Sequence, residues 1–196
     1  MIKKIPEAAK YLYGCLTLEK EVSHLYITAT KKLHSPLLTI ITTSIAYDYQ
    51  KHVTMIQELL KPLDPSINPD DLPKEFKKSM NEIGKLIDAL SNEDNIDPDE
   101  VRYLLKNLTG LEDGLHNFYT NFVDSKMLED YSDALLEVSD LTDEYLKFIL
   151  NAVMQENVEH REMLIEGLSF HSKNEQKNKD STPVIRYQNP DAWVHL

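Results

Sequence analysis

Thiol chemistry is almost missing from this chain. One cysteine, Cys15, leaves no internal disulfide and no thiolate cluster, and it fits a reducing compartment. Positive charge is scarce as well: 21 lysines and arginines stand against 33 acidic residues, a net −12. That balance argues against nucleic acid or an anionic membrane as partner. No apolar run approaches the length needed to cross a bilayer, and the opening Met-Ile-Lys-Lys-Ile-Pro-Glu lacks the apolar core of a signal peptide. No stretch alternates as a strand does, and no glycine-rich phosphate loop, serine triad or thiolate motif occurs. The expectation is a soluble, cytoplasmic, all-α protein whose 196 residues make one compact domain.

What is present is helical periodicity. From Pro6 to about Leu33 the apolar positions recur three and four apart as Leu12, Cys15, Val22, Tyr26, Ala29 and Leu33, with Glu19 in the remaining place. Ser35-Pro36 reads as N-cap and first-turn proline of a second helix. Its seam is Leu38, Ile41, Ile45, Asp48, His52, Met55 and Leu59, ending before Pro62. Prolines 62, 65, 69 and 73 then mark a loop. A shorter amphipathic helix, about Pro73 to Leu90, is read as a crossover that returns the chain for a second helix pair. Asp97-Pro98 opens the third principal helix, with seam Val101, Leu105, Leu108, Glu112, Leu115, Tyr119 and Phe122. Lys126 to Ser139 is helix-prone but irregular. Leu141 to about Leu168 is the fourth, with seam Leu146, Ile149, Val153, Glu156, His160 and Met163. Residues 1–170 are thus read as the bundle. Residues 171–196 are read as a polar linker followed by a tail that regains Val184, Ile185, Tyr187 and Trp193.

Each of the four seams carries polar residues. Burying an acid without a partner costs several kcal/mol, so these groups should meet one another, a proton or a metal. Residues four apart on a helix lie about 40° apart around its axis, so Asp48 shares a face with His52 and Glu156 shares one with His160. With Glu19 and Glu112 added, a bundle centre can hold four carboxylates and two imidazoles. That donor set suits iron, manganese or zinc.

Glu19-Lys-Glu-Val-Ser-His-Leu-Tyr26 resembles the first-helix motif of ferritin-like, rubrerythrin-type di-iron proteins, a ligand glutamate followed seven residues later by tyrosine. Glu112-Asp-Gly-Leu-His-Asn-Phe-Tyr119 repeats that spacing. Ile45-Ala-Tyr-Asp-Tyr-Gln-Lys-His52 is similar to the second-helix motif ending in Glu-x-x-His, and Met154-Gln-Glu-Asn-Val-Glu-His160 lies where the fourth-helix motif would fall. The resemblance implies a four-helix bundle of two related helix pairs. It implies Glu19, His52, Glu112 and His160 as terminal metal ligands, with Tyr26 and Tyr119 hydrogen-bonded behind them. It further implies oxygen- or peroxide-related redox chemistry, and a homodimer formed through helix faces. The family's two bridging glutamates would fall at Tyr49 and Asn157. Asp48 and Glu156, one residue earlier, are the substitutes within reach. A mononuclear two-Glu, two-His site is therefore the easier expectation than a dinuclear one.

The same cluster also suits a metal-free helical bundle that serves as an interaction or assembly module. Two carboxylates facing two imidazolium rings balance in charge, and tyrosine hydroxyls complete the hydrogen bonds. Tyr49 is open between a phenol donating to Glu19, a ligand, and a half-buried residue at the helix flank. Glu21 with His24, and Asp113 with His116, fall off the seams and read as solvated faces. His34 sits at a helix end, where the dipole favours an imidazolium. Cys15 reads as a small core residue.

Overall fold

The computed structural model describes residues 7–63, 67–93, 96–139 and 141–179, and among them every regular element is helical. The six α-helices are α1 (Glu7–Lys32), α2 (Pro36–Leu60), α3 (Lys74–Asn92), α4 (Pro98–Val123), α5 (Lys126–Leu136) and α6 (Asp143–Lys179). Local chemistry accounts for their ends. Glu7 in the first turn of α1 and Lys31 and Lys32 in its last complement the helix dipole. Ser35 takes the extended N-cap conformation before Pro36, as the sequence suggests, but its side chain makes no capping bond. Asp97 caps α4 more fully. Its carboxylate accepts from the Glu100 amide at 2.9 Å and the Glu100 side chain accepts from the Asp97 amide at 2.7 Å, a reciprocal pair that satisfies two otherwise orphan donors.

Contacts along the helices give their directions. Thr30 meets Thr42 and Glu19 meets His52, so α1 and α2 are antiparallel. His116 meets the Met154 carbonyl and Asp113 pairs with Arg161, so α4 and α6 are too. Across the bundle Tyr26 reaches Glu112 while Tyr119 reaches Glu19, and Asp48 meets His160 while His52 meets Glu156. Each helix of the four is therefore antiparallel to both neighbours, and α2 and α4 run the same way. The chain must climb from the end of α2 back to the start of α4. The 19 residues of α3, about 28 Å of helix at 1.5 Å per residue, make that climb alongside α1. Phe76 near the start of α3 packs at Gly14, and Lys32 at the end of α1 bonds the Glu93 carbonyl. Gly14 is what lets α3 in so close: a Cβ there would stand 2.8 Å from the Phe76 ring. α5 closes the far end, where the Tyr131 hydroxyl donates to the Leu59 carbonyl at 2.7 Å.

The α1 and α4 seams bury the residues their spacing predicts, Glu19 and Glu112 included. The α2 and α6 seams hold at Leu38, Ile41, Ile45, His52 and Leu59 and at Leu146, Val153 and His160, and are displaced by one residue at the positions between. Tyr49 and Ile56 point inward in place of Asp48 and Met55, and Leu150, Asn157 and Leu164 in place of Ile149, Glu156 and Met163. Either choice keeps three-and-four spacing from Ile45 through His52, so periodicity alone does not separate them. Desolvation does. A buried tyrosine and isoleucine remove more apolar surface from water than aspartate and methionine, and aspartate resists burial.

The boundary drawn at residue 170 falls inside α6, which continues to Lys179. Polar composition there speaks against burial but not against helix, since Lys, Glu and Gln are good helix formers and neither Gly nor Pro interrupts the run. The tail with Trp193 lies outside the described residues. Among those described, no helix is long and apolar enough to cross a membrane.

Candidate metal centre

Two buried carboxylates form the inner layer of the site. Glu19 accepts from the Tyr119 hydroxyl at 2.5 Å, and its other oxygen lies 3.1 Å from His52 Nδ1. Glu112 accepts from the Tyr26 hydroxyl and, at 2.7 Å, from the Tyr49 hydroxyl, while His160 Nδ1 stands 3.5 Å from it. That last distance is too long for a directed hydrogen bond, so the contact is electrostatic. Glu19, Glu112, Tyr26, Tyr49, Tyr119 and His52 are all fully buried, and His160 is almost so. Burial first, and then the neighbouring carboxylates, push all three phenols well above their ordinary range, which keeps them neutral donors.

The outer layer lies between α2 and α6 at the protein surface. His52 Nε2 is 2.8 Å from Glu156, and His160 Nε2 is 3.2 Å from Asp48. Asp48 and Glu156 are 35% and 28% exposed at the side chain. Asp48, Glu156 and His160 each bring one ligand atom within 4.8 Å of the others. Lys51 closes the cluster from outside, its Nζ 3.1 Å from Asp48 and 2.6 Å from Glu156.

Charges follow from these contacts. Burial pulls the His52 imidazole down, but Glu19 and then Glu156 more than offset it, so the net shift is upward. His160 moves the same way: burial lowers it, Glu112 and Asp48 raise it further, and the like charge of His52 opposes them. Asp48 and Glu156 are raised by burial and lowered by more through Lys51 and the facing imidazoles, and both end below the usual carboxylate range. Each imidazole thus stands between an inner and an outer carboxylate, an arrangement that favours its protonated form.

An approximate two-fold relation connects the halves: Glu19, Tyr26, Asp48 and His52 correspond to Glu112, Tyr119, Glu156 and His160. It fails at one pair. Tyr49 is bonded to Glu112 and its ring packs against both imidazoles, at 5.6 and 5.5 Å. Asn157, its counterpart, is fully buried and neither amide atom has a partner.

The structure thus links nine of the ten sequence candidates, all but Asn157, in one cluster and redistributes their parts. Tyr26 and Tyr119 do stand behind the glutamates, each serving the glutamate of the opposite half. Tyr49 is fully buried and donates to Glu112, in place of a flank position or a bond to Glu19. Lys51 was not among the candidates. Its signal in the sequence is a lysine three residues after Asp48, the spacing of a helical ion pair. The dinuclear arrangement that the resemblance implies does not fit these residues. Tyr49 and Asn157 stand where it would need bridging glutamates, and the glutamate oxygens are taken up by phenols and by His52 Nδ1. A single ion at the outer layer fits better, since two carboxylates and an imidazole already converge there. His24 and His34 are exposed, and Cys15 is a buried free thiol. No protein-family model matches this chain, and no curated protein or solved structure does.

Proposed function

We propose that this protein is a ferritin-like helical bundle that binds one divalent transition metal between α2 and α6. The ligands are Asp48, Glu156 and His160, with His52 Nε2 beside Glu156 as the fourth. The observation that carries the proposal is the convergence of three ligand atoms within 4.8 Å on two facing helices. The inner glutamates then act behind the metal rather than on it. An imidazole ligand usually donates its other ring N–H to a carboxylate, which fixes the tautomer and raises the basicity of the ligating nitrogen. Glu19 stands at His52 Nδ1 and Glu112 faces His160 Nδ1, with the Nε2 atoms directed at the outer carboxylates. Mixed carboxylate and imidazole donors suit iron, manganese or zinc. The antiparallel ring of helices with α3 as crossover supports the ferritin-like reading. Oxygen or peroxide chemistry is a further step that one ion does not require.

Metal analysis of protein purified without chelator tests the proposal, together with melting temperature on adding Fe, Mn or Zn. About one equivalent is expected, with a rise in melting temperature by mass action. Less than about a tenth of an equivalent and no rise would falsify it. The second reading is a metal-free assembly module, favoured by the ammonium of Lys51 between the two outer carboxylates and by large apolar side chains exposed at Ile40, Tyr47, Tyr145 and Phe148. A homodimer is the expected assembly under either, and the mass in solution reads it directly.

A further inference from the structure

The geometry points to Lys51 as a built-in counter-cation that competes with the metal for the oxygens of Asp48 and Glu156, so that the site fills only when this side chain swings out. The inference deepens the metal-binding proposal and rests on it. Its basis is position. Lys51 Nζ touches an oxygen of each outer carboxylate, one on its own helix and one on α6, and the oxygen it takes from Glu156 is the one that faces His52 Nε2. A divalent ion bound to those carboxylates and an ammonium held by them would be close like charges in a partly desolvated place, and the two cannot share the seat.

The exchange is mechanically easy. Lys51 is 47% exposed, and its four-carbon stem is flexible, so it can leave toward solvent without disturbing the core. Because the competitor is tethered, it is not diluted as free ions are. It holds back every divalent ion by the same factor, and preference among ions is left to the imidazoles of His52 and His160.

The experiment titrates the full-length protein with Co(II), whose visible bands report coordination, against a chelator of known affinity. Wild type, Lys51→Met, Lys51→Arg and Glu156→Gln are compared. The two ion pairs are partly exposed and individually weak, so Lys51→Met should bind roughly tenfold more tightly than wild type, while Lys51→Arg stays within about threefold. Glu156→Gln should lose most of the binding. Wild type binding one equivalent with Lys51→Met no tighter overturns the counter-cation and leaves the metal site standing. Absence of binding in every protein, wild type included, removes both. Should Lys51→Met fold poorly, amine-selective acylation of wild type gives the answer independently: modification at Lys51 should rise several-fold on saturation with Co(II), and unchanged modification of the loaded protein overturns the inference.

Discussion

Tyr119 and Tyr26 make the same kind of bond to two different glutamates, yet the two bonds are not equally replaceable. Among the described residues Tyr119 is the only phenol on Glu19, whereas Glu112 accepts from Tyr26 and Tyr49 together. Removing a donor from a buried acceptor leaves that group's desolvation cost uncompensated, on the order of 1–3 kcal/mol and more where charge is involved. Tyr119→Phe is therefore expected to cost about 2–3 kcal/mol of unfolding free energy and Tyr26→Phe about half as much, by urea denaturation of the metal-free protein. Equal losses would mean that Tyr49 does not share the burden at Glu112. The pairing of these side chains was open to a reader of the sequence, because Glu19 with Tyr26 and Glu112 with Tyr119 repeat one spacing. The crosswise partnership was not. Which half a phenol serves depends on how two helices distant in sequence face each other.

At the level of single helices, seams and caps were readable and rotation about the axis was not. Leu12, Leu105, Leu108 and Tyr119 fell into place along α1 and α4, whose three-and-four series are buried throughout. On α2 and α6 two paths were available, through Asp48 or Tyr49 and through Glu156 or Asn157. Asp48 and Glu156 have the chemistry of ligands, and their charge is the reason they lie at the rim. Close approach between helices has a sharper test in the glycines. A Cβ at Gly14 would stand 2.8 Å from the Phe76 ring, whereas at Gly114 nothing lies within 4 Å. Gly14→Ala is expected to push α3 off α1 and cost about 1–3 kcal/mol, the usual range for overpacking. Gly114→Ala should stabilise by up to about 1 kcal/mol, the ordinary gain from removing a helix-interior glycine. Urea midpoints moving the same way in both variants would contradict the tight α1–α3 contact.

The whole molecule integrates these charges into a dependence on pH whose sign can be worked out. His52 and His160 have folded-state values raised above the 6.5 of a free imidazole. The native state therefore holds their protons more tightly than the unfolded chain, and this stabilisation is complete below about 6.5 and lost as pH rises through the folded values. Asp48 and Glu156 are shifted the other way, below 3.8 and 4.5. Their contribution is present above those unfolded values and is lost as pH falls through the folded ones. Metal-free protein should accordingly be most stable between about pH 4.5 and 6.5 and should soften on both sides. Metal reverses the alkaline limb. Coordination at Nε2 requires that an imidazolium proton leave, so loading releases protons and tightens as pH rises. Thermal melts from pH 4 to 9, with and without Zn(II), should give two curves that part above about pH 6.5 and widen steadily. Parallel curves would mean that the imidazoles never exchange a proton for a metal ion. The surviving account would then be a bundle in which Glu19, His52, Glu112 and His160 serve only to hold four helices in register.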